Sequence, residues 1–193
     1  MKRTEFEEAL RLVGEIARDR DFYVLGSQAI HGLLEKPPPA CLSSAEVDVY
    51  PKNHYQAVPL IDGKLGKGSA FAARNPYYVD CVSPDLATLP DGWTERLVPF
   101  KTKNTGGVTA WCLEIHDLCL AKLAAGRPKD LRYIGVLLRH KLVRSEVIES
   151  RLDDMPTTPA GKQTMRTHLN KLIAACASKR RRRRKPASRS PRH

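Results

Sequence analysis

The sequence predicts an α/β (α+β) fold: a mixed sheet flanked by helices, then a helical C-terminal part and a disordered basic tail. Three observations carry this. Up to Ile115, short apolar or alternating runs are interleaved with helical patterns. Beyond Ile115 the texture is helical throughout. From Lys179 to His193 there are nine Lys/Arg and no acidic residue, in a Pro- and Ser-bearing segment too polar to bury a core. The expected organisation is a core over 1–115, a helical part over 116–177 that completes it, and the tail over 178–193.

Taken in order, Thr4 with Glu7 reads as a capping box, and Phe6, Leu10, Val13 and Ile16/Ala17 recur at helical spacing over 4–19. Residues 22–25 form a short buried strand stopped by Gly26-Ser27. The pattern from Gln28 to Leu34 is helical until Lys36-Pro37-Pro38-Pro39 ends it. Residues 45–50 alternate apolar and polar, a strand with one open face. A short helix over 53–62, interrupted by Pro59, leads into a glycine-spaced loop from Gly63 to Ser69. Residues 77–82 read as a strand, and the Pro90-Asp91-Gly92-Trp93 turn precedes strands at 95–100 and 108–113. Helices follow at 116–125, 129–139, 144–152 and 159–177, with Pro128 suited to the first turn of the second.

Composition narrows the classes. A chain of 193 residues with 41% apolar side chains can bury a core without staples. Of the net charge of +12, residues 1–178 carry only +3, from 24 basic and 21 acidic residues, so the basic character belongs to the tail. The tail is expected to bind polyanions through counterion release. No apolar run is long enough to span a membrane. The first eight residues turn acidic at once, without an apolar signal core. Five cysteines without a C-x-x-C pair point to a reduced, cytoplasmic protein.

The chemistry gathers at three places. A strand ends in Gly26-Ser27 and enters a helix, where glycine permits close backbone approach to a phosphate and the hydroxyl and helical amides can bind its oxygens. Glu46 and Asp48, two apart on a strand, project from one face and can share a hard divalent ion such as Mg²⁺. Asp80 lies on another strand and supplies the third carboxylate that metal-assisted phosphoryl transfer requires. Each alone is ordinary: a strand–helix turn, or a solvated strand face. Cys112, His116 and Cys119 read as buried free cysteines and a histidine rather than a zinc site. The run from Gly63 to Ser69 departs from the phosphate-loop pattern. Trp93 and Trp111 read as packing residues rather than base-stacking platforms.

The runs Val24-Leu25-Gly26-Ser27-Gln28-Ala29-Ile30 and Ser44-Ala45-Glu46-Val47-Asp48-Val49-Tyr50-Pro51 resemble the signature of the nucleotidyltransferase superfamily, with its DNA polymerase β-like fold. Residues 116–130, containing Lys122, Arg127 and Lys129-Asp130, resemble the Lys- and Lys-Asp-bearing segment of its AbiEii-like branch. That branch includes bacterial abortive-infection and toxin–antitoxin nucleotidyltransferases. The resemblance covers residues 4–152 and implies a role for each matching position. Gly26 and Ser27 would hold the nucleoside triphosphate (NTP), assisted by Arg127 and Lys129. Glu46 and Asp48 would hold Mg²⁺, with Asp80 as the third carboxylate. Lys122 would neutralise phosphate and Asp130 would orient a base or the substrate hydroxyl. Glu46 stands where the family usually has Asp.

The implied activity is Mg²⁺-dependent transfer of a nucleotide from an NTP to an RNA or protein hydroxyl, of the toxin–antitoxin type. Expected partners are NTP, nucleic acid such as RNA held through the tail, and an antitoxin. The alternative is a non-catalytic nucleic-acid- or protein-binding module on the same scaffold.

Overall fold

The structure, a computed structural model, describes residues 1–184, with side-chain surroundings to residue 178. Five strands form one sheet: β1 (Asp21–Val24), β2 (Glu46–Pro51), β3 (Tyr78–Cys81), β4 (Val98–Phe100) and β5 (Thr109–Cys112). Their spatial order is β3-β2-β1-β5-β4. The β2–β3 and β1–β5 pairs are parallel, and β1–β2 and β4–β5 are antiparallel. Alternation decides the faces. Phe22, Val24, Val47, Val49, Val79, Ala110 and Cys112 point inward and are buried. The intervening Tyr23, Glu46, Asp48, Tyr50 and Trp111 stay half-exposed.

The inward face is covered by α1 (Arg3–Ala17), the single turn α2 (Ile30–Leu33) and α3 (Val58–Leu65). Phe6, Leu10 and Val13 of α1 are fully buried, as their helical spacing requires. The capping box forms elsewhere than expected. The Glu5 carboxylate accepts the Lys2 N–H at 2.6 Å, whereas Glu7 is drawn into the core and accepts the Asn104 amide at 2.8 Å. Pro59 sits in the first turn of α3 instead of interrupting it, since its missing N–H is no loss there. The first three residues of the expected glycine loop are therefore helical.

Four helices complete the fold: α4 (Ile115–Ala125), α5 (Pro128–Arg139), α6 (Ser145–Arg151) and α7 (Pro159–Arg184). The Glu114 carboxylate caps α4 by accepting the His116 and Asp117 N–H groups. Asp117 is fully buried, and such a carboxylate needs partners. It accepts Arg96 Nε at 2.7 Å and Arg151 Nη1 at 2.9 Å, tying the loop before β4 and helix α6 to the start of α4. Residues 93–96 form a 3-10 turn after Gly92 (φ 70°), so β4 is shorter than the expected 95–100. Helix α7 runs past residue 177 to Arg184; Lys and Arg are good helix formers, and no proline follows before Pro186. The remainder of the expected disordered tail, 185–193, lies outside the described residues. Among the described residues no helix is long and apolar enough to cross a membrane.

Candidate active site

At the exit of β1 the backbone of Gly26 presses against β2. A Cβ on Gly26 would lie 1.5 Å from Asp48 Oδ2 and 2.8 Å from Asp48 Cβ, a space no side chain could share. The Leu25 N–H donates to the Asp48 carbonyl at 3.2 Å, locking the two strands at this level. Asp48 in turn sits in register with Asp80 on parallel β3, and Glu46 with Tyr78. The expected one-face arrangement of Glu46 and Asp48 therefore gains Asp80 as a cross-strand neighbour.

The three carboxylates are not equivalent. Burial, then the charges of Glu46 and Asp80, push Asp48 up to about 6. Burial and the charges of Glu46 and Asp62 also raise Asp80. Burial acts on Glu46 in the same sense, but is outweighed by the Lys129 charge and by hydrogen bonds from Lys129, Tyr78 and Ser44, leaving it below its ordinary value. Lys129 Nζ lies 3.3 Å from Glu46 Oε1, and Tyr78 donates to Oε2 at 3.1 Å. Asp48 and Asp80 have no hydrogen-bond or ion-pair partner among the described side chains.

Facing them is a cationic hairpin. Gly126 (φ 63°) ends α4 in the left-handed region, and Pro128 starts α5 two residues later. The reversal brings Lys122 within 3.1 Å of Asp130 Oδ1, while Arg127 Nε binds Oδ2 at 2.6 Å. Lys122 is only 8% exposed and is no surface lysine. Its Nζ also donates to Ser27 Oγ at 2.8 Å and lies 4.5 Å from the Tyr133 ring centre. The Tyr133 hydroxyl donates to the Ser27 carbonyl at 2.9 Å. Burial tends to raise Asp130, but Arg127 and Lys122 hold it below its ordinary value.

Two clefts open on either side of this hub. One, of about 570 Å³, is lined by Gly26, Ser27, Glu46, Asp48, Asp80 and Lys122. The other, of about 650 Å³, is lined by Ser43, Ser44, Arg132, Tyr133 and Arg139. Ser27, Glu46, Lys122, Lys129 and Asp130 border both. Among the described residues no group of three or more His, Cys, Asp or Glu side chains is arranged to hold a metal ion by itself. The donor set nevertheless fits Mg²⁺, which takes one or two carboxylates and completes its shell with water and substrate phosphate. Asp48, with neighbouring carboxylates and no hydrogen-bonding cation, has the negative charge such an ion neutralises.

Residues 4–175 match the family described as "Nucleotidyltransferase of unknown function (DUF6036)". The chain belongs to this family. No match was found among curated proteins or solved structures. In this nucleotidyltransferase all nine sequence-derived site residues border the first cleft. Sequence reasoning missed Tyr78 and Ser44, which hydrogen-bond Glu46, and Tyr133, which donates to the Ser27 carbonyl and lies against Lys122. Only Tyr78 gave a signal, by sharing a strand face with Asp80. Cys112 and Cys119 are buried and free, while both nitrogens of His116 are engaged, Nδ1 with Glu114 and Nε2 with the Arg144 N–H.

Proposed function

We propose that this nucleotidyltransferase moves a nucleotide from an NTP to a hydroxyl of RNA or protein, using Mg²⁺ held by Glu46 and Asp48. The observation that carries the reading is the unpartnered pair Asp48–Asp80, set beside Gly26-Ser27 and opposite Lys122. Mg²⁺ would supply charge neutralisation at the α-phosphate. Ser27 and the nearby amides bind phosphate oxygens; Lys129, Arg132 and Arg139 line the second cleft and suit the polyphosphate. Asp80, exposed at the rim, accepts the proton of the attacking hydroxyl. The acceptor oxygen bonds to the α-phosphorus, the α–β bridge breaks, and pyrophosphate leaves. Asp130 acts as a positioning residue through Lys122 and Arg127. The toxin–antitoxin role, with an antitoxin partner, and the AbiEii-like affiliation belong to the same reading. The cytoplasmic assignment rests on the five free cysteines.

One observation favours a non-catalytic scaffold: Glu46 is already engaged by Lys129 and Tyr78. Incubation with each NTP labelled at the α-phosphate, Mg²⁺, and total RNA or lysate separates the two. Label on a macromolecule is expected; none with any NTP and either acceptor refutes transfer. Within the catalytic reading, Gly26→Ala displaces Asp48 and should reduce labelling about a hundredfold, since misplacement by 1 Å has that effect. Rate measurement on a variant verified as folded by circular dichroism checks this.

A further inference from the structure

The outer face of the sheet carries an aromatic row that the chemistry above does not use. Cross-strand register aligns Tyr50 with Tyr23, Tyr23 with Trp111, and Trp111 with Pro99. All four are on the face opposite α1, α2 and α3, and Tyr50, Tyr23 and Trp111 are half-exposed. Trp93 adds an edge-on ring 5.4 Å from Tyr23. The Asp21 carboxylate accepts the Trp111 indole N–H at 2.7 Å and fixes that ring. Lys52 Nζ reaches across the row, 4.5 Å from the Trp111 ring centre and 5.0 Å from that of Tyr23. Asp48 occupies the next same-face position along β2 from Tyr50, about 7 Å away.

We infer that this row is a stacking platform for single-stranded RNA, which it delivers to the carboxylates as the acceptor; the inference rests on the transfer reading and names its acceptor. Neighbouring strands lie about 4.8 Å apart, so the row offers successive π-faces on a fixed surface. Bases stack on aromatic side chains without sequence preference, and cation–π groups assist. The charge is complementary: Lys52 stands among the rings and can turn to a phosphate as a base takes its place. The row ends on Tyr50, one same-face step along β2 from the level of Asp48 and Asp80, so a strand that lies along it and turns at Tyr50 presents hydroxyls to Asp80.

Both tryptophans of the chain lie on this face, so intrinsic fluorescence reports its occupation. The full chain is titrated with an oligoadenylate about twelve nucleotides long, without NTP or Mg²⁺, following tryptophan emission and the anisotropy of an end label. Saturable quenching is expected, weakened about five- to a hundredfold in Tyr23→Leu, from the loss of one stacked base. Lys52→Gln should weaken it several-fold and flatten the salt dependence. Anisotropy change without quenching assigns binding to the basic C-terminal segment and overturns the platform. Quenching unaltered in a folded Tyr23→Leu overturns it too; if that variant does not fold, an unaltered Lys52→Gln does. Label transfer to protein alone refutes the acceptor assignment while leaving the transfer reading intact. Quenching without any label transfer keeps the RNA surface and refutes transfer instead.

Discussion

Asp48→Asn should abolish nucleotide transfer, by about a thousandfold or more, and yet leave a fold that is more stable than the parent at neutral pH. On the proposed reading the variant loses a carboxylate that holds Mg²⁺, and with it several kcal/mol of charge stabilisation. The stability change has the opposite sign because Asp48 titrates near 6 in the folded chain, against an ordinary 3.8. The folded form holds this proton more tightly than the unfolded one. Ionising Asp48 therefore weakens the fold as pH rises from about 4 to 6, and the penalty is complete above 6. A neutral amide escapes it, gaining about 1–3 kcal/mol at pH 7 and nothing below pH 4. Urea denaturation of both proteins at pH 7 and pH 4 measures the difference. Mg²⁺ should raise the Tm of the parent and leave that of the variant nearly unmoved. Full transfer activity in Asp48→Asn would sink the metal assignment.

Lys122→Ala should damage both fold and site. Removing one partner of a buried pair leaves the other uncompensated, at about 3–5 kcal/mol. Here Asp130, 2% exposed, would keep only Arg127, and Ser27 Oγ would lose its donor. Asp130 is held below its ordinary value in the parent, so the lost stability should be largest near neutral pH and shrink as pH falls below about 4. Adding Asp130→Asn should restore part of the stability, because the stranded charge is gone, without restoring NTP binding. Lys141, exposed after α5, is the control, and its alanine variant should change stability by less than about 0.5 kcal/mol. Equal, small effects at both positions would remove Lys122 from both the supporting pair and the site.

The elements were legible because their signals are local. Period-two alternation from Glu46 to Tyr50 gives both the strand and the common face of Glu46 and Asp48, whatever lies elsewhere in the chain. Gly126 and Pro128 likewise state where α4 ends and α5 begins. Local signals misled where two readings competed for one residue. Glu7 suits a capping box, yet its place on the buried stripe of α1 wins, and Glu5 takes the cap.

What only the tertiary structure decided is partnership. Nothing in the spacing of Lys122 tells a snorkelling lysine from a buried hub; the Gly126–Pro128 reversal, packed against the end of β1, decides it. Registers place Asp80 beside Asp48 rather than Glu46, and align Tyr50 and Tyr23 with Trp111, read from sequence as a packing residue, across one outer face. Alternation says which side of its own strand a residue takes. It does not say which strand lies alongside, at what offset, or which face the helices cover. Those depend on contacts between residues far apart in the chain, which form only when the core closes.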